Sequence, residues 1–331
     1  MKILVIKRGA LGDVVRTSYF ARALKLKYGP SLMLYWSTAE PSAPLLRFNP
    51  YIDEIRTDFQ FSHQTFDHVF SLDDEREALE GLKSLSFRDI TGAYLDHSDK
   101  AAYTDSSSEW FDMGLLSRFG KDWADRLKKE NQSSHGEIFS RIFGTNKPEP
   151  HFYGNSAYDL QELRLPSEEI WVGINPFAGG RWPSKELRES ELILLIKGLE
   201  VLFQGLRRSG KIFLMGAGKD RLRNEMIAKK VHSPMIHVVD SDATVLRFAS
   251  VIKTLDCLIT SDSLAMHLAI AQRIPFVAFF SPTSAAEIDD FGFGEKVRST
   301  APDYCSYRPD ADNVTITAER LLAAMEKKLK K

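Results

Sequence analysis

The sequence predicts an α/β protein of two Rossmann-like domains, and three observations carry that expectation. The chain has 331 residues and is 43% hydrophobic, more than a single core usually holds. Short apolar, β-branched runs alternate with stretches of helical periodicity, the pattern of a mostly parallel, doubly wound sheet. A stretch rich in Pro, Gly, Asn and charge, 144–166, interrupts that alternation, which then restarts. The expected division is a first domain at 1–147, a linker at 148–168 and a second domain at 169–331. The last helix could pack back on the first domain.

In the first half, residues 2–6 read as a strand that runs into Gly9 and Gly12, and a helical pattern follows with Val14, Val15, Tyr19, Phe20, Ala23 and Leu24 on its apolar face. Further strands are expected at 32–36, 68–72 and 90–95, with helical patterns at 75–83, 109–118 and 123–129. In the second half the strands are expected at 171–175, 212–215, 235–239, 255–260 and 275–280. Helices are expected at 187–207, 220–231, 243–253 and 263–271, and a final one at 318–329. Residues 199–205, Leu-Glu-Val-Leu-Phe-Gln-Gly, resemble the recognition sequence of a picornaviral 3C protease, although the Pro that usually follows is Leu206 here. They read either as an engineered insertion or as native helix, since Leu195, Leu199, Leu202 and Leu206 keep helical spacing.

Lys plus Arg (44) nearly balance Asp plus Glu (45), so charge gives no reason to expect nucleic acid. Two cysteines, Cys257 and Cys305, fit a reducing compartment, argue against an exported disulfide scaffold and cannot by themselves form a metal-ligand cluster. The apolar run at the N-terminus is too short for a signal peptide, and no stretch approaches the roughly 20 apolar residues of a membrane span. A cytoplasmic protein is expected, in peripheral contact at most with the inner membrane.

Four segments bear chemistry. In Lys7-Arg8-Gly9-Ala10-Leu11-Gly12-Asp13-Val14, glycines turn the chain at the carboxyl end of a strand, where open α/β sheets bind ligands. Asp13 would open the following helix and face the crevice, or simply cap that helix. In Asn175-Pro176-Phe177-Ala178-Gly179-Gly180-Arg181-Trp182-Pro183-Ser184-Lys185, a strand enters a small, Gly-rich loop carrying two cations. Exposed amides with Arg181 and Lys185 suit a pyrophosphate. In Gly216-Ala217-Gly218-Lys219-Asp220, the acidic group could accept from a ribose hydroxyl or cap a helix. In Asp262-Ser263-Leu264-Ala265-Met266-His267, Asp262 and Ser263 can cap a helix whose free amides would take a phosphate.

Taken together these segments resemble glycosyltransferase family nine, the ADP-heptose:lipopolysaccharide heptosyltransferases. The resemblance rests on K-x-x-x-L-G-D-V at the start, Asn-Pro-x-Ala-Gly followed by Arg-Trp-Pro-Ser-Lys, Asp-Ser-x-x-x-His with the later Pro-Thr-Ser, and the segment 46–55. It covers about residues 1 to 290. It implies two facing Rossmann-like domains (the B-type glycosyltransferase fold) with the donor held mainly by the second. It also implies inversion at the anomeric carbon and no essential metal or other cofactor. Asp13 matches the catalytic base, and Asp220 the ribose-binding acid. Asp262, Ser263 and His267 match the nucleotide-sugar signature. Asn175, Arg181, Lys185 and Gly216 fall on the donor side, and Lys7 and Gly12 on the acceptor or phosphate side. The sequence departs from the family at Leu264, where glycine is usual, at Gly180, where lysine is common, and at Gly9 and Ala10, where small hydroxyl residues are frequent.

The function expected is transfer of a sugar, a heptose, from a nucleotide-sugar donor to a saccharide or lipid-linked saccharide acceptor. Asp13 would take the acceptor proton, and Arg181, Lys185 and the helix amides would meet the diphosphate. Two alternatives share the fold: a nucleotide-sugar epimerase of the two-Rossmann-domain type, and a non-catalytic sugar-nucleotide-binding protein.

Overall fold

The structure, a computed structural model, describes residues 1–61, 64–155, 169–178, 182–239 and 244–330. It divides into two units. The first comprises Met1–Tyr153 and Ala286–Asp289, the second Gly154–Ala285 and Asp290–Lys331. Most of the expected linker, 156–168, lies outside the described residues.

The first unit runs β1 (Lys2–Ile6), α1 (Leu11–Ser18), α2 (Phe20–Tyr28), β2 (Met33–Ser37), α3 (Ala43–Leu46), β3 (Glu54–Arg56), β4 (Thr65–Phe66), β5 (His68–Ser71), α4 (Arg76–Lys83), β6 (Ser86–Phe87), β7 (Ile90–Leu95), β8 (Ala101–Tyr103), α5 (Ser108–Phe111), α6 (Lys121–Glu130) and α7 (His135–Phe143). Its sheet has the order β3-β2-β1-β5-β7-β8, parallel throughout except for the antiparallel last pair, and β4 and β6 form a separate two-stranded ribbon. β1 lies inside the sheet, so Ile3–Ile6 are all fully buried, as expected for a strand covered on both faces.

Two expected helices differ in the structure. The one after Gly12 is divided at Tyr19, next to Ser18, whose hydroxyl donates to Val15 O at 2.7 Å; such back-bonding bends helices. The one expected at 109–118 ends after a single turn, because Met113 N and Gly114 N close three-residue turns onto Trp110 O and Phe111 O. α7 was not expected. A capping box between Ser134 and Glu137 starts it, and Gly144 in the left-handed region ends it. It lays Ile138, Phe139, Ile142 and Phe143 into the core beside Phe20 and Phe70.

The second unit repeats the plan with β9 (Ile170–Asn175), α8 (Glu189–Gly205), β10 (Gly210–Leu214), α9 (Arg221–Val231), β11 (Ile236–Val238), α10 (Val245–Lys253), β12 (Cys257–Ser261), α11 (Leu264–Ala271), β13 (Phe276–Phe280), β14 (Gly294–Arg298) and α12 (Ala318–Leu329). The sheet order is β11-β10-β9-β12-β13-β14, parallel throughout. Every residue of β12 and β13 is buried. α8 buries Leu192, Leu195, Ile196, Leu199 and Phe203 at helical spacing, so residues 199–205 continue its core face. Thr317 caps α12, which packs Leu321 and Met325 into the same core. Both cysteines are free and buried. Among the described residues no helix is long and apolar enough to cross a membrane. The α/β expectation with parallel sheets holds in both units.

Candidate active site

Each sheet changes winding direction once, between β1 and β5 in the first unit and between β9 and β12 in the second. The carboxyl ends of those strands are where doubly wound sheets bind ligands.

In the first unit, Lys7 N donates to Ser37 O and Leu72 N to Ile6 O, both at 3.0 Å, which locks the ends of β2, β1 and β5 side by side. The chain then turns through Lys7–Ala10 into α1. The Lys7 side chain is buried and its ammonium is shared: it donates to Asp73 Oδ1 in a short hydrogen bond and lies 4.0 Å from Asp13 Oδ2. Burial alone would lower the Lys7 pKa. The charges of Asp73 and Asp13, with the Asp73 hydrogen bond, outweigh burial and raise it above the ordinary lysine value. The other Asp13 oxygen takes Arg16 Nη2 at 2.8 Å, and the Arg16 guanidinium lies 5.5 Å from the Trp110 ring centre.

Asp13 is not a helix cap. The cap position is Ala10, held at φ 49°, and Asp13 is the third helical residue, in the first turn. Two cations, Lys7 and Arg16, lie against its carboxylate, which is about one-third exposed. Gly12 is buried in the same turn. Two residues here escaped the sequence reading. Asp73, just beyond β5, is buried and accepts from the amides of Arg8 and Gly9, the latter at 3.3 Å, as well as from Lys7. Arg16 is the i+3 partner of Asp13. An acidic residue directly after a strand at the winding switch was the available signal for Asp73.

In the second unit, β9 delivers Asn175, whose side-chain amide reaches Phe177 O at 3.2 Å and the hydroxyls of Thr260 and Ser263 at 3.3 Å each. Those two hydroxyls are 3.0 Å apart. Ser263 occupies the cap position of α11, but its side chain caps nothing. Its hydroxyl is committed to Thr260 and Asn175, and the first amides of α11 are left without a side-chain acceptor from Ser263. The expected capping by Ser263 is therefore absent, and Ser263 leaves the first amides of α11 to other acceptors such as an anion. Beside it, Lys185 donates to Asp262 Oδ2 at 3.0 Å and to Asp262 O at 3.2 Å, while His267 Nε2 lies 3.8 Å from Asp262 Oδ1. Lys185, Asp262 and His267 thus form one cluster. Arg181 and Gly180 lie outside the described residues. Leu264, in place of the usual glycine, is the half-buried first residue of α11.

Gly216 follows β10 where a Cβ would come within 2.8 Å of Asp220 Cβ, so only glycine allows Asp220 this close. Asp220 is buried and accepts from Ala217 N at 3.1 Å; it does not cap α9. Burial raises its pKa above the usual aspartate value, against the pull of the Ala217 amide and of Arg223, whose Nη1 is 3.8 Å away. Among the described residues no group of three or more His, Cys, Asp or Glu could hold a metal.

The sequence profile of Glycosyltransferase family 9 (heptosyltransferase) matches residues 195–304, from α8 past β14. A Haemophilus influenzae protein provisionally named a glycosyltransferase is 22% identical over 306 residues, 86% of this chain and 84% of that protein. The structure of Escherichia coli ADP-heptose lipopolysaccharide heptosyltransferase II superposes with a TM-score of 0.68 at 18% identity, over 100% of this chain and 99% of that one. A family 9 glycosyltransferase from Veillonella parvula gives 0.71 at 15% identity, over 99% and 97%. The structural likenesses identify the B-type glycosyltransferase fold, and the profile match over residues 195–304 agrees with the family resemblance and with the glycosyltransferase class read from the sequence.

Proposed function

We propose that this chain is a glycosyltransferase of family nine, an inverting enzyme that moves a heptose from ADP-heptose to a hydroxyl of a lipopolysaccharide-core-like saccharide. Asp13 accepts the proton as the acceptor oxygen attacks the anomeric carbon, and the ADP leaves from the opposite face through an oxocarbenium-like transition state. Lys185, Arg181 and the open amides of α11 meet the charge that grows on the departing diphosphate. Asp220 accepts from a ribose hydroxyl. His267 holds Asp262, and Asn175 holds Ser263, in the arrangement that keeps α11 uncapped.

The observation that carries this reading is the N-terminus of α11, left uncapped by Ser263, with Lys185 beside it, in a helix that lies within the profile-matched stretch. An amide-lined helix end next to a lysine is a ready site for a nucleoside diphosphate. ADP-heptose is the donor named for the heptosyltransferase II that shares the fold. The acceptor in this reading is a saccharide, lipid-linked at the inner face of the membrane, and neither a metal nor a nucleic acid takes part.

A thermal-shift panel of ADP-, UDP-, GDP- and dTDP-sugars tests the donor. A ligand at about 100 times its Kd adds about 2.7 kcal/mol of stability. Stabilisation by ADP-heptose above the others is expected, as is heptose transfer to a heptose-free lipopolysaccharide core in the presence of chelator. Stabilisation by another nucleotide alone refutes the donor, and loss of transfer on chelation refutes the metal-free mechanism.

A further inference from the structure

Asp73 has no part in the family signatures, yet it is the most heavily engaged carboxylate at the end of β1. It sits two residues beyond β5, is 4% exposed, and satisfies three donors: the Lys7 ammonium and the amides of Arg8 and Gly9. Its reach extends to Asp13 through Lys7. The charges run Asp73, Lys7, Asp13, Arg16 in alternating sign, each paired with the next. Lys7 is held closely on the Asp73 side and stands off at 4.0 Å on the Asp13 side. The remaining charges nearby are directed elsewhere. Arg8 turns to Ser37 Oγ, Thr38 O, Thr57 O and Glu77. The Glu75 carboxylate lies against Gly9, where a Cβ would meet it at 3.2 Å.

A lysine this buried needs a counter-charge. If Asp73 did not supply it, Asp13 would be the nearest carboxylate. Lys7 would close onto it, and a base locked in a tight ion pair beside an uncompensated cation is a weaker proton acceptor. We propose that Asp73 is a positioning residue for the reaction: by taking the Lys7 ammonium together with the amides of Arg8 and Gly9, it fixes the turn into α1 and leaves Asp13 available to the acceptor hydroxyl. This rests on the reading of Asp13 as the base.

The test follows ADP release from ADP-heptose, with heptose-free lipopolysaccharide core as acceptor, across pH. Asp73→Asn leaves the Lys7 charge unmatched, so the acid limb of the rate profile moves to lower pH by about one unit or more. Turnover drops about tenfold or more, the lower end of what a misplaced base costs, while the donor KM stays within about twofold. Lys7→Met leaves Asp73 unmatched instead and moves the limb to higher pH. Lys7→Met/Asp73→Asn removes both charges and returns the limb to its original position although the rate stays low. Should Asp73→Asn fail to fold, the single Lys7 variant and the double variant decide by the same difference. Variants that lose thermal stability with no movement of the limb reduce Asp73 to a structural residue and overturn the inference. Full turnover by Asp13→Asn would instead overturn the assignment of the base, so the two failures are distinguishable.

Discussion

Replacing Asp13 by asparagine separates chemistry from architecture, because Ala10 rather than Asp13 holds the cap position of α1. Ala10 occupies the cap position, so the carboxylate contributes through Arg16 at 2.8 Å, through Lys7 at 4.0 Å and through its place in the first turn of α1. Asparagine keeps an oxygen for Arg16, and Lys7 keeps Asp73. What is lost is one charge of a partly exposed pair and the favourable interaction with the helix dipole, together about 1–2 kcal/mol. For units of this size that is a fall in Tm of roughly 2–8 °C. Loss of the general base lowers turnover by about 10²-fold or more. Donor affinity, which the proposal assigns to residues of the second unit, is expected to change little. The assays are thermal unfolding, calorimetric binding of ADP-heptose and ADP release with acceptor present. A folded Asp13→Asn protein with near-normal turnover refutes the mechanism and moves the search for the base to Asp96 and Asp105.

Three further outcomes are expected. Lys185→Met removes a charge-assisted hydrogen bond to Asp262 and a cation beside the start of α11, so the donor KM rises by about 10- to 100-fold; an unchanged KM takes Lys185 out of the donor site. Burial lifts the Asp220 pKa, and only the ionised carboxylate accepts from ribose without a proton of its own. Donor affinity therefore holds above that raised pKa and falls as the pH drops through it, beginning above the usual aspartate range. Calorimetry on Asp220→Asn should show weaker binding with this dependence gone, and an identical pH profile in the variant removes Asp220 from the site. Replacing Lys327, Lys328 and Lys330 should lower co-sedimentation with anionic liposomes at low salt. Lys330 already pairs with Glu326, and equal sedimentation of the variant assigns these lysines to the helix alone.

What could be read in the sequence followed burial. β1 and β7 appear over the residues expected, because both are apolar runs inside a sheet. β3, β8 and β14 (Glu-Ile-Arg, Ala-Ala-Tyr, Gly-Glu-Lys-Val-Arg) are half-exposed edge strands with no apolar run to reveal them. α7 lies outside the expected helices although the capping box Ser134-x-x-Glu137 marks its start. At the site, residue types were legible and partnerships were not. Lys185 and Asp262 lie 77 positions apart and no local rule links their motifs; the parallel pairing of β9 with β12 brings them together. Asp73 is 66 positions from Lys7 and has no glycine signature around it. Of the helix-cap readings, Asp220 does close a capping box, on the short turn 218–220 that leads into α9, whereas the cap position of α1 falls to Ala10 and the Ser263 hydroxyl turns to Thr260 and Asn175.

Residues 199–205 spell a protease site, but α8 carries them as helix, with Leu199 and Phe203 in the core. Proteases take their substrates as extended strands, so the peptide bond after Gln204 is out of reach until the end of α8 unwinds and Phe203 leaves its pocket. When reclosing outpaces cutting, the rate of cleavage by the 3C enzyme measures the population of that opened form. The segment makes the second unit its own gauge of local stability. Nucleotide-sugar bound to this unit should slow the cut in proportion to its affinity, which gives a binding assay that needs no acceptor and no turnover.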